Sequence, residues 1–452
     1  MNAESVYLHL PIPLQNLVIG LEGRRLQRRR YGLKYNEIEA NAQERLNISV
    51  DRLQAYRVER LAEHLLSAEK SPFWRQRFDE YGIKHCSSDP FFELAKLPVL
   101  KKAEVKLYSK DICNPAIGSR ELMTTHTSGT TGSGLIFVTT REMEQTTWAT
   151  WWRYRHWHGI HKDNWCGYFG GRSVVPVSQK QLPYWRFNRS GRQILCSCYH
   201  LSEKTARDYA KILVDTKVSW IHGYPSMLAL FADFVLEQGL TLPAIKVVTV
   251  GAENLLPSQK TKISSAFNAP VFQHYGQAEG VANISECPAG NLHVDEDYSG
   301  VEFLPIEGML GTYRIIGTNW HNISFPLLRY DTGDLVTIDE KTVCTCGLSG
   351  RIVSSIDGRQ EDYIYLANGV RVGRMDHVFK DMINIREAQI VQQSSGEIDV
   401  RVVRGNYYSH HDDRQLFDEF KKRLGNDIKI SIHYVESLPR TQSGKLRFVI
   451  QE

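Results

Sequence analysis

A chain of 452 residues exceeds what one ordinary hydrophobic core holds and predicts at least two domains. Its 42% hydrophobic and 23% charged residues exclude a disordered or fibrous chain, and a net charge of +4 gives no electrostatic case for nucleic acid as a partner. Eight cysteines are too few for a disulfide framework and no apolar run reaches bilayer length, so a cytosolic protein without a transmembrane segment is expected.

The chain opens MNAESVYLHLPIPLQNLVIGLEG, where Pro11 and Pro13 interrupt the apolar stretch and no basic leader precedes it, the wrong pattern for a secretory signal. The run GRRLQRRR (Gly23–Arg30) is a local basic excess that reads as a solvated helix face, with a binding patch as the alternative. Ser49 begins a capped amphipathic helix: Ala55, Val58, Ala62, Leu65 and Leu66 recur at helical spacing, and Asp51 suits the positive end of the dipole. Residues 1–120 are thus expected to be mainly helical. The stretch TTWATWWRYRHWHG (Thr146–Gly159) invites a nucleic-acid or carbohydrate reading, but no basic groove accompanies it, and a Trp-rich helix packed in the core is the simpler expectation.

From about residue 120 short β-branched runs alternate with helices. Ile245–Glu279 reads as a strand, a Gly turn, a helix from Pro257 and a second strand ending at Tyr275, the grammar of an α/β domain. Ligands in such domains sit beyond the carboxyl ends of the strands, where Gly251–Glu253 and Tyr275–Glu279 fall. After residue 358 a compact α+β tail follows.

Thr127, Ser128, Gly129, Thr130, Thr131 and Gly132 form TSGTTG, a hydroxyl and glycine loop of the kind whose backbone N–H groups turn inward around an anion; alone it reads equally well as a flexible turn. It is followed in order by GAENL (Gly251–Leu255), YGQAE (Tyr275–Glu279), RYDTGDL (Arg329–Leu335), GRQED (Gly358–Asp362) and LPRTQSGKLR (Leu438–Arg447). With these motifs in that order, the sequence resembles the adenylate-forming superfamily of acyl-CoA synthetases, adenylation domains and luciferases. Within it, the chain is most similar to the phenylacetate–CoA ligase group and its CapK-like branch, associated with capsule polysaccharide biosynthesis. The helical lead-in and LPVLKKAEV (Leu97–Val105) extend the likeness over nearly the whole chain.

The resemblance implies a large N-terminal domain (1–358), a hinge (359–361, with Glu361 as pivot) and a small C-terminal domain (362–452). It implies activation of a small-molecule carboxylic acid with ATP and Mg²⁺ to acyl-AMP, then transfer to coenzyme A, with an amine or a carrier protein as alternative acceptors. A non-catalytic nucleotide-binding scaffold is the rival reading. By the same resemblance Lys445 is the catalytic cation and Glu279 the Mg²⁺ ligand, while Arg359 supports the ribose side and Asp334 accepts from the ribose hydroxyls. Gly251, Ala252 and Glu253 line the adenine, Tyr275 packs on its ring, and Gly276, Gln277 and Ala278 complete the nucleotide site. Many members carry Thr where Ala278 stands, and many carry a Lys after the phosphate loop where this chain reads SGLIF. Trp148, Trp151, Phe169, Arg172, Trp185 and Tyr199 are candidate acyl-pocket residues; no motif names the acid or the oligomeric state.

Cys287, His293, Cys344 and Cys346 make a Cys₃His set of the type that closes a structural zinc site, with ordinary buried thiols as the alternative. Four protein ligands leave no position for a catalytic water, which argues against a zinc hydrolase.

Overall fold

The computed structural model describes residues 3–84, 86–127, 135–171, 174–307, 309–339, 342–359, 364–367, 371–372, 375–379, 382–425, 428–441 and 444–452. Its contacts divide into two compact units, the first comprising 1–24, 162–273 and 358–452 and the second 25–161 and 274–357.

In the first unit the strands run in the order Trp185–Asn188, Gln193–Cys196, Cys166–Phe169, Trp220–Gly223 and Val247–Gly251. All pairings are parallel except at the Trp185–Asn188 edge. Val247–Val250 is buried throughout, as a strand covered on both faces must be, and this is why it reads VVTV without alternation. The helices Ala206–Asp215, Pro225–Gln238 and Pro257–Phe267 follow their strands, and Phe169, Phe231, Val248 and Ile263 meet in the core. The expected strand, helix and strand at Val247–Gly251, Pro257–Phe267 and Val271–Gly276 are all present. The C-terminal part forms a sheet in the order Lys429–Tyr434, Glu397–Arg404, Ile385–Ser394 and Val449–Gln451. The helix His410–Leu424 packs on it through Leu416 and Phe420, and Ser409 accepts from the His411 N–H at its start.

The second unit opens with helices, among them Tyr35–Glu44, Val50–Ala68, Pro72–Tyr81 and Pro90–Lys96. Ser49 caps Val50–Ala68 by accepting from the Arg52 N–H, as the sequence predicts. Leu61, Leu65, Trp74 and Phe325 share one core, and the Trp74 indole donates to the Pro326 carbonyl at 2.8 Å. A hairpin of Leu122–His126 and Ile136–Thr140 leads into the helix Arg141–Trp157, the expected Trp-rich element, on which Tyr35–Glu44 packs. A second sheet runs Gly300–Ile306, Met309–Thr318, Tyr330–Thr337 and Ser355–Arg359.

The basic run meets its expectation in part: Arg24, Arg25 and Arg28 are exposed. Arg29 and Arg30 do not lie on a solvated face: Arg29 pairs with Glu144, and the Arg30 guanidinium stacks 4.0 Å from the Trp148 ring. No described helix is long and apolar enough to cross a membrane.

Candidate functional site

In the second unit the strand Tyr330–Thr337 departs from regular pairing. Arg314 pairs with Leu335 and Ile316 with Asp331, so Thr332, Gly333 and Asp334 face one residue on the neighbouring strand. Gly333 takes φ of +72°, which a side chain would resist, and the Asp334 N–H donates to the Thr332 hydroxyl. This bulge aims the buried Asp334 at the end of the strand Val271–Gly276. There the Tyr275 hydroxyl donates to Asp334 Oδ2 at 2.8 Å and Gln277 Nε2 reaches the same oxygen at 2.6 Å. Gly276 belongs to this packing, since a Cβ would lie 2.9 Å from Asn283 Oδ1.

Glu279, two residues past Gln277, is buried; its Oε1 is 3.5 Å from the Tyr330 hydroxyl and its backbone carbonyl accepts from Asn319 Nδ2. Gln277, Ala278 and Glu279 line a cavity of ≈230 Å³, together with Thr124 and Thr125 of the first hairpin strand, Trp151, and the Arg29–Glu144 pair. Thr127 closes the neck of the hydroxyl and glycine loop: its N–H donates to the Leu135 carbonyl and its hydroxyl accepts from the Leu135 N–H, each at 2.9 Å. Ser128, Gly129, Thr130, Thr131, Gly132, Glu361 and Arg172 lie outside the described residues, as does the side chain of Arg359 at the end of Ser355–Arg359.

The Cys₃His set comes together in the same unit. The ligand atoms of Cys287, His293, Cys344 and Cys346 all lie within 4.8 Å of one another, with Cys287 Sγ to Cys344 Sγ at 3.6 Å and Cys346 Sγ to His293 Nε2 at 3.3 Å. Edges of that length suit a tetrahedron with Zn–S bonds of about 2.3 Å, so these residues fit zinc. His293 Nδ1 lies 3.2 Å from the Gly350 carbonyl, a partner that fixes the ring and turns Nε2 toward the sulfurs. Burial opposes ionisation of Cys344, yet hydrogen bonds from the Cys346 backbone, His293 and the other thiols outweigh it and bring that thiol down to about 6.

The first unit holds the other motifs. At the end of Val247–Gly251, Ala252 takes φ of +67°, a strained conformation for a residue with a Cβ. The turn delivers Glu253 to the start of the helix Pro225–Gln238, where Oε2 accepts from the Ser226 N–H at 3.1 Å. Glu253 Oε1 accepts from the Leu446 N–H at 3.0 Å, which fastens the backbone just past Lys445 to this carboxylate. Thr441 closes the segment: its hydroxyl accepts from the Lys445 N–H at 3.1 Å, and Gly444 turns at φ of +76°. Lys445 Nζ stands 5.9 Å from the centre of the Tyr224 ring. Arg440 donates to the Ser226 hydroxyl at 2.9 Å and pairs with Glu387, whose carboxyl burial pushes up against the pull of that arginine.

Of the proposed acyl-pocket aromatics, Phe169 is core, stacked on Phe231, and Trp185 packs at the margin of the same cluster. Trp148 holds Arg30, Trp151 lines the cavity, and the exposed Tyr199 donates to the Thr441 carbonyl. Sequence reasoning missed Arg440, although it lies within LPRTQSGKLR, and it missed Arg29 and Glu144, which are 115 residues apart.

The comparisons agree with this architecture. Residues 364–452 match the family described as the CapK C-terminal domain. Over 453 residues the chain is 25% identical to Protein CapK of Staphylococcus aureus, covering 98% of each chain. It is 23% identical to phenylacetate-coenzyme A ligase of Thermus thermophilus, covering 92% of this chain and 98% of the relative. The structure of 2-hydroxyisobutyryl-CoA ligase in its postadenylation state, in complex with 2-HIB-AMP, superposes with a TM-score of 0.68 at 19% identity, covering 90% of this chain and 91% of that one. The resemblance drawn from the motifs therefore holds in both sequence and fold: the chain is a homologue of Protein CapK and of phenylacetate–CoA ligase, with the mixed α/β fold and C-terminal domain of the adenylate-forming ligases.

Proposed function

We propose that the chain is an adenylate-forming ligase that activates a carboxylic acid with ATP and passes the acyl group to the thiol of coenzyme A. The observation that carries the reading is the pairing of distant motifs: Tyr275 and Gln277 on Asp334 in one unit, and the Lys445 segment on Glu253 in the other. Nothing in a generic α/β fold calls for these contacts; a nucleotide site built from these motifs does.

In the first half-reaction a carboxylate oxygen attacks the α-phosphorus while the bond to the β-phosphate oxygen breaks, giving acyl-AMP and pyrophosphate. Asp334 would accept from the ribose hydroxyls, Tyr275 would pack on the adenine ring, Gly251–Glu253 would line it, and the loop from Thr127 to Gly132 would hold the outer phosphates. Glu279, a hard oxygen donor on the cavity wall, fits Mg²⁺, which when bound neutralises phosphate charge. Lys445 would stabilise charge building between the carboxylate and the α-phosphate. In the second half-reaction the thiol attacks the acyl carbon and AMP departs. The domain reading of 1–358, a hinge at 359–361 pivoting on Glu361, and 362–452 belongs to this proposal, because the lysine must act in the first step and vacate its place in the second. Arg359 would support the ribose side. The Cys₃His cluster would hold a structural zinc, with no part in the chemistry.

The CapK likeness along nearly the full chain supports a place in capsule polysaccharide biosynthesis, with a sugar amine as the competing acceptor. The test is pyrophosphate release from ATP–Mg²⁺ across a panel of carboxylic acids, each with and without coenzyme A or an amino sugar, with Lys445→Ala as blank. Release that needs an acid and Lys445 is expected, and acceleration by one acceptor identifies it. Silence across the panel with nucleotide binding intact would favour a scaffold.

A further inference from the structure

We infer that the helix Ile12–Arg30 is a docking face for an anionic lipid surface, lying in the plane of that surface with aliphatic side chains in the headgroup layer and arginines on the lipid phosphates. The inference goes beyond the adenylation reading and does not depend on it.

The helix is turned inside out. A surface helix ordinarily puts its apolar stripe on the core and its polar face in water. Here Leu14, Leu17, Val18 and Leu21, spaced three and four apart on one face, are between 39% and 56% exposed. The opposite face is largely polar or small. Gln15 is buried there; its Nε2 donates to the Leu10 carbonyl at 3.0 Å and its Oε1 accepts from Arg186 Nε at 2.6 Å. Asn16 Oδ1 accepts from the Phe187 N–H at 3.0 Å, and the Gly20 carbonyl accepts from the Ser190 hydroxyl at 3.3 Å. A Cβ on Gly23 would collide with the Asn188 side chain. These contacts fix which way the helix faces, because turning the leucines inward would leave Gln15 and the buried Arg186 without their partners. Ile12, Ile19 and Leu26 are half-buried, so the protein takes a share of the helix's apolar side chains and leaves four outside.

Charge says what covers those four. The same spacing carries the face on through Arg24, Arg25 and Arg28, all exposed, and Glu22 is the one acid of the helix. An apolar stripe of about 10 Å therefore runs into a basic one of about the same length, which calls for a counterpart that is oily and anionic. Four half-exposed aliphatic side chains make a patch of a few hundred Å², short of the roughly 800 Å² per partner that a stable protein interface buries, and the stripe carries no Trp or Tyr anchor. A lipid surface needs no matching shape: aliphatic groups enter the headgroup layer while guanidiniums meet phosphates.

The experiment co-sediments the full chain with vesicles of phosphatidylcholine alone and of phosphatidylcholine mixed with phosphatidylglycerol, at low and high salt. The variants are Arg24→Gln with Arg28→Gln, and Leu17→Gln with Leu21→Gln, all at exposed positions, with thermal melting to show that the fold stands. The wild type is expected to bind the phosphatidylglycerol vesicles and to release them in high salt. The arginine pair is expected to lose at least about tenfold in partitioning, from about fivefold for each charge near an anionic surface. The leucine pair is expected to lose at least about tenfold through lost apolar burial. Binding that neither pair changes, or that is equal on both vesicles and untouched by the arginine pair, overturns the inference. So does a wild type that binds neither vesicle, which would give the face to a protein partner. A dimer in light scattering that the leucine pair dissolves, without vesicle binding, would identify that partner as a second copy of the chain.

Discussion

Asp334 in the second unit and Lys445 in the first are both charged motif residues, yet each is held in its own unit in the opposite way. Asp334 is 7% exposed, set in a bulged strand and gripped by two side chains, Tyr275 and Gln277, at the end of the strand Val271–Gly276 and just past it. Lys445 sits half-buried on a short loop that closes on itself through Thr441 and is tied down by the Leu446 N–H on Glu253 and by Arg440 on Ser226. A group that only binds gains from rigidity, because a fixed acceptor loses no entropy on meeting its ligand. A cation that must serve one half-reaction and leave for the next is better held by a few exchangeable hydrogen bonds than by burial. The strained Ala252 and the bulge at Gly333 are backbone investments at those two places.

Four experiments break or sharpen that contrast. The largest effect is expected at Lys445: replacement by Ala should slow acyl-AMP formation at least about 10²-fold while AMP affinity and thioester formation from supplied acyl-AMP persist, read by pre-steady-state assays of each half-reaction. Equal loss in both halves would mean that the lysine is a fixed binding group like Asp334. Next is the Cys₃His cluster. Cys344→Ser should abolish a stoichiometric zinc measured by atomic absorption and lower stability by about 3 kcal/mol at a hundredfold excess of metal over its dissociation constant. Hydrogen exchange should place the lost protection in 274–357 and leave the Lys445 segment unaffected.

Acid should separate the units as well. Burial holds His64 and His274 near about 3 and His321 at about 4 in the second unit, against 6.5 for an exposed ring. Unfolding frees these rings to take protons, so their contribution is complete above 6.5 and lost as the pH falls, to about 4 for His321 and about 3 for His64 and His274, at about 1.4 kcal/mol per histidine per pH unit. In the first unit Asp233 has the opposite sign: burial, outweighing Lys262, raises it from 3.8 to about 6, so the stability it contributes is fully present below 3.8 and lost as the pH rises through about 6. Exchange at pH 5 against pH 7 should therefore show the second unit losing protection first. The smallest effect is expected from Glu253→Gln, which removes the charge and leaves one acceptor oxygen where two N–H groups now find one each. It should weaken the hold on the Leu446 N–H and change acyl-AMP formation by about threefold or less. A hundredfold change would make Glu253 a direct participant.

Much of this was legible in the sequence because it is local. Ser49 announces its helix, VVTV its buried strand, and Tyr275, Gln277, Asp334 and the four zinc-type ligands stand in short motifs whose spacing survives folding. What was not legible depends on partners far along the chain. Arg29 and Arg30 look as solvated as the rest of GRRLQRRR because charge and periodicity say nothing of a Glu144 and a Trp148 waiting more than a hundred residues on. Phe169 looked like a pocket wall because an aromatic at the end of a strand is equally suited to core and cleft, and only Phe231 decides it. Arg440 was passed over because its partners, Glu387 and Ser226, come from elements whose meeting no motif records.

The most direct test of adenylation follows oxygen. With an acid that releases pyrophosphate and with its accepting thiol, the substrate carboxylate is labelled with ¹⁸O and the AMP product is analysed by mass spectrometry. Attack of that carboxylate on the α-phosphorus predicts AMP carrying one labelled oxygen, and loss of the labelled product in Lys445→Ala. Unlabelled AMP, or label recovered in inorganic phosphate beside ADP, would contradict the account.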